Sequence, residues 1–239
     1  MRCVMRSDVG RVRSLNEDAT LVMPGAGVFA VADGMGGHNA GDVASKLAVE
    51  SLRNRLRGRV ATPTALQSAV QETNLTLLRR AQSDEACSGM GTTLTLLWMA
   101  KDGALIGHVG DSRAYRYRDG MLRQCTEDHS VVAELVRQGA LTQEEARVHP
   151  YRNVITRALG TAGYVEVDVV ALDVAPGDRF LLCSDGLTGM VSDEHIEKTL
   201  SAAPTLDAAA DALLAAALKA GGRDNITLLL MAQDEEVGA

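Results

Sequence analysis

Four aspartates, each beside an apolar run, carry the strongest chemical signal in this chain. Asp33, Asp111 and Asp185 each follow a run of apolar, β-prone residues, and Asp224 lies in a polar turn just before another such run. These runs predict buried strands that bring the carboxylates to the rim of a sheet. Carboxylates gathered at short range repel one another and lose hydration, so such a cluster requires cations. The pattern therefore predicts a metal site.

The residue types favour hard, oxygen-seeking ions at that site. No CxxC spacing or zinc-like His partner accompanies the four scattered cysteines, which are Cys3, Cys87, Cys125 and Cys183. Carboxylates alone suit Mg²⁺ or Mn²⁺, with Ca²⁺ less favoured. Two such ions about 3.5–4 Å apart can share a bridging carboxylate and hold a hydroxide suited to attack on phosphorus. Gly34 lets the backbone approach an ion closely, so its carbonyl could be a ligand.

A second polar group precedes these aspartates, in the segment RSLNEDA at 13–19. The Arg13 guanidinium could bind two oxygens of a phosphate through parallel hydrogen bonds. Glu17 and Asp18 could hold metal-bound water. Together with the aspartates, this group predicts phosphate chemistry at the metal site.

The composition bounds the class of protein. The chain has 239 residues, of which 46% are hydrophobic and 23% charged, which favours one large globular domain. A net charge of -7 and 3% aromatic residues argue against nucleic acid as a general partner. The N-terminus lacks the apolar region of a secretory signal, and no stretch approaches the roughly 18 apolar residues of a membrane helix. We therefore expect a cytoplasmic protein with reduced thiols and no membrane association.

The periodicity predicts antiparallel strands covered by helices. The turn signals Asp102-Gly103 and Asp119-Gly120 separate paired runs, as in hairpins. Strands are expected at about 2–7, 18–23, 27–33, 92–100, 104–110, 113–118, 121–125, 165–174, 178–184 and 225–232. Long amphipathic helices are expected at 41–57, at about 63–82 and at 205–220. Several strands are apolar on both faces, so the economical architecture is two sheets packed face to face with helices outside each.

Residues 128–160 differ from the rest and are named the flap below. A helix near 129–138, opened by Asp128-His129-Ser130 as scaffold and N-cap, precedes a second helix opened by the capping box at 142–145. Four basic side chains there could contact a phosphopeptide, although a solvated surface is the favoured interpretation for each taken singly: Arg147, His149, Arg152 and Arg157. The segment is expected to form a small excursion from the sandwich.

The order of the motifs is specific. RSLNEDA is followed by VADGMGGH, GDSRAY, DHS, ITRALG, SDGL and DN. In these motifs the chain resembles the metal-dependent Ser/Thr protein phosphatases, the PPM or type 2C family, in their compact bacterial form. The resemblance covers about residues 8–232. It implies an α+β fold, a four-layer αββα sandwich with a flap, forming a single catalytic domain over 1–239. It also implies hydrolysis of phosphoserine and phosphothreonine by a hydroxide that bridges two Mn²⁺ or Mg²⁺ ions.

The same resemblance implies the metal ligands. Asp33 would bridge the two metals, and the Gly34 carbonyl would ligate one of them. Asp185 and Asp224 would hold the other ion. Asp111, together with Asp185, would bind a third, weaker ion. Asp33 and Asp185 are thus expected to be catalytic as well as ligating.

The remaining roles follow from the resemblance too, with one departure. Glu17 and Asp18 would act through metal-bound water, and Arg13 would clamp the phosphate as a catalytic residue. Many relatives carry a His directly after the Asp-Gly pair as the proposed general acid, and here that position is Met35. His38 stands at a different spacing, so water is the default proton donor.

Two other functions stay open at this point. One is a catalytically silent relative that binds phosphoproteins, and the other is a metal-dependent hydrolase of small phosphate esters. The expected partners are phosphorylated proteins, in particular a bacterial Ser/Thr kinase and its substrates, and the expected state is a monomer.

Overall fold

The computed structural model describes residues 1–36 and 40–233, and within them the chain forms two antiparallel β-sheets. The strands are β1 (Arg2–Asp8), β2 (Asp18–Met23), β3 (Val28–Met35), β4 (Gly91–Thr92), β5 (Leu94–Ala100), β6 (Gly103–Val109), β7 (Arg113–Arg118), β8 (Met121–Gln124), β9 (Asp168–Leu172), β10 (Arg179–Cys183) and β11 (Ile226–Ala232). One sheet has the order β1-β11-β10-β7-β8, and the other has β2-β3-β5-β6-β9 with β4 paired to β3. Both expected Asp-Gly hairpins are present, β5–β6 and β7–β8.

Five of the described helices begin where a capping side chain accepts from a free N–H group of the first turn. The described helices are α1 (Ala40–Leu56), α2 (Pro63–Ser83), α3 (Val131–Arg137), α4 (Gln143–Val148), α5 (Asp185–Thr188), α6 (Asp193–Ala202) and α7 (Leu206–Lys219). The five with such a cap are α2, α3, α4, α6 and α7. Thr62 Oγ1 accepts from Ala65 N at 3.2 Å and Pro63 follows at the first helical position, as the sequence predicts. The expected capping box at Thr142 and Glu145 is also present.

Three separate apolar clusters define four layers. Phe29, Leu97 and Leu229 belong to the cluster between the two sheets. A second cluster packs α1 and α2 against the six-stranded sheet, and a third packs α6 and α7 against the five-stranded sheet. Each fully buried Leu or Phe side chain contributes roughly 1.5–3 kcal/mol, so all three clusters stabilise the sandwich. The predicted α+β, four-layer αββα architecture is confirmed.

The flap leaves the sandwich through a closed neck. Val131 N donates to Val154 O at 2.9 Å, and Thr156 N donates to His129 O at 2.8 Å. The flap carries α3 and α4 between these two segments of the neck. Leu159 is fully buried and pairs with Thr92, so the chain has rejoined the core before residue 160.

The strand expected over 92–100 differs in one respect that matters for the site. It is interrupted at Thr93, between β4 and β5. The helices α5 and α6 were not expected from the sequence, because α5 has only four residues and α6 offers only Ile196 and Leu200 as fully buried apolar positions. Within the described residues, no helix is both long enough and apolar enough to cross a membrane.

Candidate metal centre

Both sheets bring carboxylates to one edge of the sandwich. Asp33 lies near the end of β3, and Asp111 follows β6. Asp185 opens α5 directly after β10, while Asp224 precedes β11. The pKa of Asp33 is raised well above its usual value, first by burial and then by the negative charges of Asp18, Asp185, Asp111 and Asp224. The structure therefore brings the four predicted aspartates, and Asp18 with them, close enough for their charges to interact.

The pKa values of the neighbouring carboxyl groups are raised in the same way. Burial, followed by the charge of Asp185, raises the pKa of Asp111 to about 8. Burial also raises the pKa of Asp185 to about 6, with the Asp224 charge as the next cause. For Asp18, burial raises the pKa to about 7 against two opposing hydrogen bonds. Each of these groups is expensive to ionise without a cation nearby.

The buried oxygens fit divalent ions. Asp18 Oδ1 and Asp185 Oδ1 have no hydrogen-bond partner within residues 1–36 and 40–233. Unpartnered carboxylate oxygens in a site without Cys or His ligands suit Mg²⁺ and Mn²⁺. In the described chain, no three Asp, Glu, His or Cys side chains are arranged so that they alone could hold a metal ion. Backbone carbonyls and water, which Mg²⁺ commonly retains, must complete the coordination.

A hydroxyl network holds Asp33 in place. Asp33 N donates to Thr93 Oγ1 at 2.9 Å, and Thr93 N donates to Asp33 O at the same distance. Thr92 Oγ1 also donates to Asp33 O at 2.9 Å. Thr93 Oγ1 lies 2.8 Å from Ser112 Oγ, directly after Asp111. The interruption between β4 and β5 thus links two of the acidic positions through Thr93. Asp33 and Thr93 are 60 positions apart, so no local sequence pattern pairs them.

Gly34 is required by close packing. A Cβ at this position would lie 2.0 Å from Gly41 O and 2.7 Å from Glu17 O, and Gly34 N donates to Glu17 O at 3.1 Å. No side chain fits there without moving the backbone of β3 or α1. The backbone at Gly34 is therefore held tightly beside Asp33.

Asn225 fixes the loop that carries the predicted phosphate-binding residues. Its Nδ2 donates to Val9 O at 3.0 Å and to Leu15 O at 2.9 Å, while its Oδ1 accepts from Glu17 N at 2.8 Å. The side chain therefore satisfies three backbone groups of this loop beside Asp224. The Asp-Asn pair at the end of the motif series was the sequence signal for it.

The structure places Arg13, Glu17 and Asp18 around the aspartates in different ways. Arg13 is half-exposed, and its Nη2 donates to Asp224 Oδ2 at 2.8 Å. Burial raises the pKa of Glu17, against the opposing charge of Arg13. Asp18 is buried and accepts from Ser184 Oγ at 2.8 Å. Asp18 is therefore held within the protein, whereas Arg13 remains open to solvent.

A charged clamp joins the start of the flap to the five-stranded sheet. Arg113 donates to both carboxylate oxygens of Asp128, with the shortest contact at 2.6 Å. Its Nη1 also donates to Tyr115 Oη at 3.0 Å. Because this guanidinium is mostly buried, the fork geometry gives both strength and direction to the clamp.

His129 joins the flap neck to the six-stranded sheet. Gly110 N donates to His129 Nδ1 at 3.0 Å, so the proton lies on Nε2, which donates to Asp168 Oδ2 at 3.1 Å. Arg157 Nη1 donates to the other oxygen of Asp168 at 2.7 Å. The expected scaffold role of Asp128-His129-Ser130 agrees with these bonds, and Ser130 Oγ caps α3 by accepting from Ala133 N at 3.3 Å.

The position that carries His in many relatives is filled by an apolar side chain. Met35 is the last residue of β3, opposite Gly91, and a thioether has no proton to donate. The other sequence candidate, His38, lies outside the described residues.

The fold and the site together define a class. A four-layer sandwich with buried, cation-requiring carboxylates at one edge is the architecture of a metal-dependent phosphatase. Residues 10–221 match the family described as Protein phosphatase 2C. The chain belongs to that family, as the motif order predicts.

One relative matched by sequence and two solved structures support the assignment. The chain is 43% identical to the serine/threonine phosphatase stp of Listeria monocytogenes, over 98% of this chain and 96% of that protein. It superposes on the crystal structure of the Mycobacterium tuberculosis serine/threonine phosphatase PstP/Ppp with a TM-score of 0.91 and 40% identity, covering 98% and 99% of the two chains. A structure of the PstP catalytic domain in complex with two manganese ions matches with a TM-score of 0.87 and 39% identity, over 96% of each chain.

Proposed function

We propose that this chain is a Mn²⁺- or Mg²⁺-dependent phosphatase that hydrolyses phosphoserine and phosphothreonine in proteins. The observation that carries the proposal is the group of buried carboxyl groups whose pKa values are raised by burial and by one another. Among the described residues, Arg13 and Arg113 oppose the rise in the pKa of Asp185 without abolishing it, whereas two divalent ions would bring four positive charges. The relatives named above are serine/threonine phosphatases, and one was crystallised with two manganese ions.

The proposed ligands are five of the residues described above. Asp33 would be shared by two ions, with the Gly34 carbonyl assigned to one of them and Asp185 and Asp224 to the other. Asp111, beside Asp185, would hold a weaker third ion. When bound, the ions lower the pKa of water to supply a nucleophile and neutralise the phosphate. The rigid backbone at Gly34 and the Thr93 bonds to Asp33 support this assignment.

Arg13 is the proposed phosphate clamp. One of its nitrogens already contacts Asp224, and half of the side chain is open to solvent. Its free donors can therefore bind a phosphate oxygen while Asp224 holds the guanidinium in place. Glu17 and Asp18 are proposed to order water around the ions. Since Met35 cannot donate a proton, water is proposed to protonate the departing Ser or Thr oxygen.

The activity is tested with a phosphothreonine peptide. We expect phosphate release in Mn²⁺, its loss in EDTA, and a fall of at least about a hundredfold in the isosteric variant Asp33→Asn. Asp119→Asn is the matched control, because Asp119 lies in an exposed turn with φ 52°, which Asn also tolerates. Metal-independent turnover, or full activity in Asp33→Asn, would contradict the proposal.

We also propose the setting in which the enzyme works. Its substrates must be made by a Ser/Thr protein kinase, and that kinase is itself a candidate substrate. The four cysteines are free, which supports a reducing, cytoplasmic compartment. A monomeric state is proposed as well, and light scattering on the purified protein checks it.

A further inference from the structure

A cavity of about 650 Å³ lies between the flap and the metal centre. One wall includes Asp111, Asp185 and Asp224, so the cavity is continuous with the proposed site of phosphate hydrolysis. The flap wall includes Val132 of α3 and Ala146 of α4, both largely buried. A peptide whose phosphorylated residue reaches the centre would have neighbouring residues within reach of this cavity.

The positive charges of the cavity fall into two groups. Arg113 is paired with Asp128 at 2.6 Å, and Arg137 is paired with Glu127 at 3.0 Å, so their charges are already compensated. Three other arginines line the cavity, are exposed, and make no ion pair within residues 1–36 and 40–233: Arg147, Arg152 and Arg223. These three guanidinium groups are available to a ligand.

The structure also separates the four basic flap residues that sequence alone could not rank. Arg157 is bound to Asp168 at 2.7 Å and to Glu166 at 3.1 Å, so it serves the neck of the flap. His149 lies outside the cavity wall and packs its ring 5.6 Å from that of Tyr151. Arg147 and Arg152 are the two that line the cavity.

We propose that Arg147, Arg152 and Arg223 form an anion subsite that selects protein substrates with an acidic or phosphorylated residue next to the scissile phosphoresidue. The inference rests on the proposed function, since it concerns the same centre. Asp193 also lines the cavity, 3.8 Å from Arg113, which is already paired with Asp128, so Asp193 offsets one of these three positive charges. When cations neutralise the aspartates of the opposite wall, the charge left in the cavity is still positive. Complementary charge at an exposed rim favours one partner over another by a modest amount, about three- to tenfold for two or three contacts.

The test compares three phosphothreonine peptides of equal length, flanked by neutral residues, by Glu, or by a second phosphothreonine. With the Mn²⁺-loaded protein we expect kcat/KM to be about three- to tenfold higher for both anionic peptides than for the neutral one, mainly through a lower KM. At high salt we expect the three kcat/KM values to become equal, because salt screens the charges. A preference confined to the second phosphate would narrow the subsite to phosphate, while a preference shared by Glu assigns it to anions generally. Fluorescence anisotropy of the neutral and Glu-flanked peptides, each with unphosphorylated Thr at the scissile position, gives a readout that does not depend on turnover.

Variants then assign the preference to the arginines. In Arg147→Glu/Arg152→Glu we expect the anionic preference to reverse, whereas Arg147→Lys/Arg152→Lys retains most of it. Arg57→Glu/Arg59→Glu, an equal charge change in the exposed loop between α1 and α2, should keep the wild-type ratio.

The outcomes separate this inference from the function on which it rests. Hydrolysis of all three peptides at equal rates, or an unchanged preference in the Glu variant, would overturn the subsite while leaving the phosphatase assignment intact. Failure to hydrolyse any of them in Mn²⁺ would overturn the proposed function and the subsite with it.

Discussion

Individual hydroxyl and amide side chains fix the backbone that carries the aspartates of the candidate metal centre. Thr93 joins Asp33 to the Ser112 hydroxyl, and Asn225 ties the loop before β2 to the turn that carries Asp224. Neither side chain is charged, yet each satisfies buried backbone groups that would otherwise lose a partner. Orientation of the carboxylates therefore depends on residues that have no direct role in the chemistry.

At this scale, Thr93→Val is expected to weaken both stability and metal binding. Valine keeps the shape but leaves Asp33 N without its acceptor, which costs about 1–3 kcal/mol of unfolding free energy. Loss of a group that orients a ligand lowers metal affinity by about 10–100-fold. Urea denaturation and Mn²⁺ titration measure the two effects. Thr20→Val on β2 is the control, and equal behaviour of the two variants would refute a special role for Thr93.

The elements that support the site are joined at two places to the flap. Arg113 and Asp128 connect it to the five-stranded sheet, while His129 connects it to Gly110 and Asp168 of the six-stranded sheet. The first root of the flap is therefore fixed to both of the layers that carry the aspartates. Beyond the neck, α3 and α4 line the cavity.

Breaking the first of these connections is expected to be costly. Asp128→Ala leaves the mostly buried Arg113 guanidinium without its bidentate partner, and we expect a loss of about 1.5–3 kcal/mol in unfolding free energy. Hydrogen exchange should rise in α3 and α4 more than in the sheets. Glu127→Ala is the neighbouring control, because its pair with Arg137 is exposed. Matching losses in the two variants would contradict the clamp.

At the scale of the whole molecule, two sheets each contribute part of one charge cluster. Asp33 lies near the end of β3 and Asp111 follows β6, both in the six-stranded sheet, whereas Asp185 and Asp224 adjoin strands of the five-stranded sheet. Packing the sheets together through the apolar cluster between them therefore forces like charges into proximity. The folded protein without metal ions bears an electrostatic cost that the unfolded chain does not.

This cost predicts an unusual dependence of stability on pH. The pKa values of Asp18, Asp111 and Asp185 are raised by burial to about 7, about 8 and about 6, from 3.8. Above pH about 4 the unfolded chain releases protons that the folded protein retains, so the free energy of unfolding falls as pH rises toward about 8. In EDTA we expect Tm to be lower at pH 8 than at pH 5.5 by about 5 °C or more.

Mn²⁺ is expected to remove this dependence. At a free ion concentration of a hundred times Kd, an ion that binds only the folded state adds about 2.7 kcal/mol per site to the free energy of unfolding. The effect is largest at high pH, where the carboxylates are ionised and bind the ion best. Differential scanning fluorimetry at several pH values, with EDTA or with Mn²⁺, measures both effects. A metal-free protein that becomes more stable from pH 5.5 to pH 8 would contradict the assignment.

Much of the fold and of the candidate metal centre could be predicted from local sequence alone. The apolar runs ending in aspartate predicted the strands, Thr62-Pro63 predicted the start of α2, and the ordered motifs predicted the family. Strand periodicity, helix capping and turn formation depend on residues that are close in sequence, so they can be recognised in one amino-acid sequence. The short helices α5 and α6 were missed because their local signal is weak and their burial depends on partners distant in sequence.

What only the tertiary structure decided is which polar groups meet. Thr93 and Ser112 are 19 positions apart, and Asn225 and Leu15 are 210 apart, so no local pattern pairs them. The same holds for the flap arginines. Sequence identified Arg147, Arg152 and Arg157 as equivalent candidates, and packing then placed Arg157 in the neck and the other two at the cavity. The type of a residue determines which chemistry its side chain can perform. Which other side chain it contacts depends on the distance between them, and that distance is set only by the folded structure.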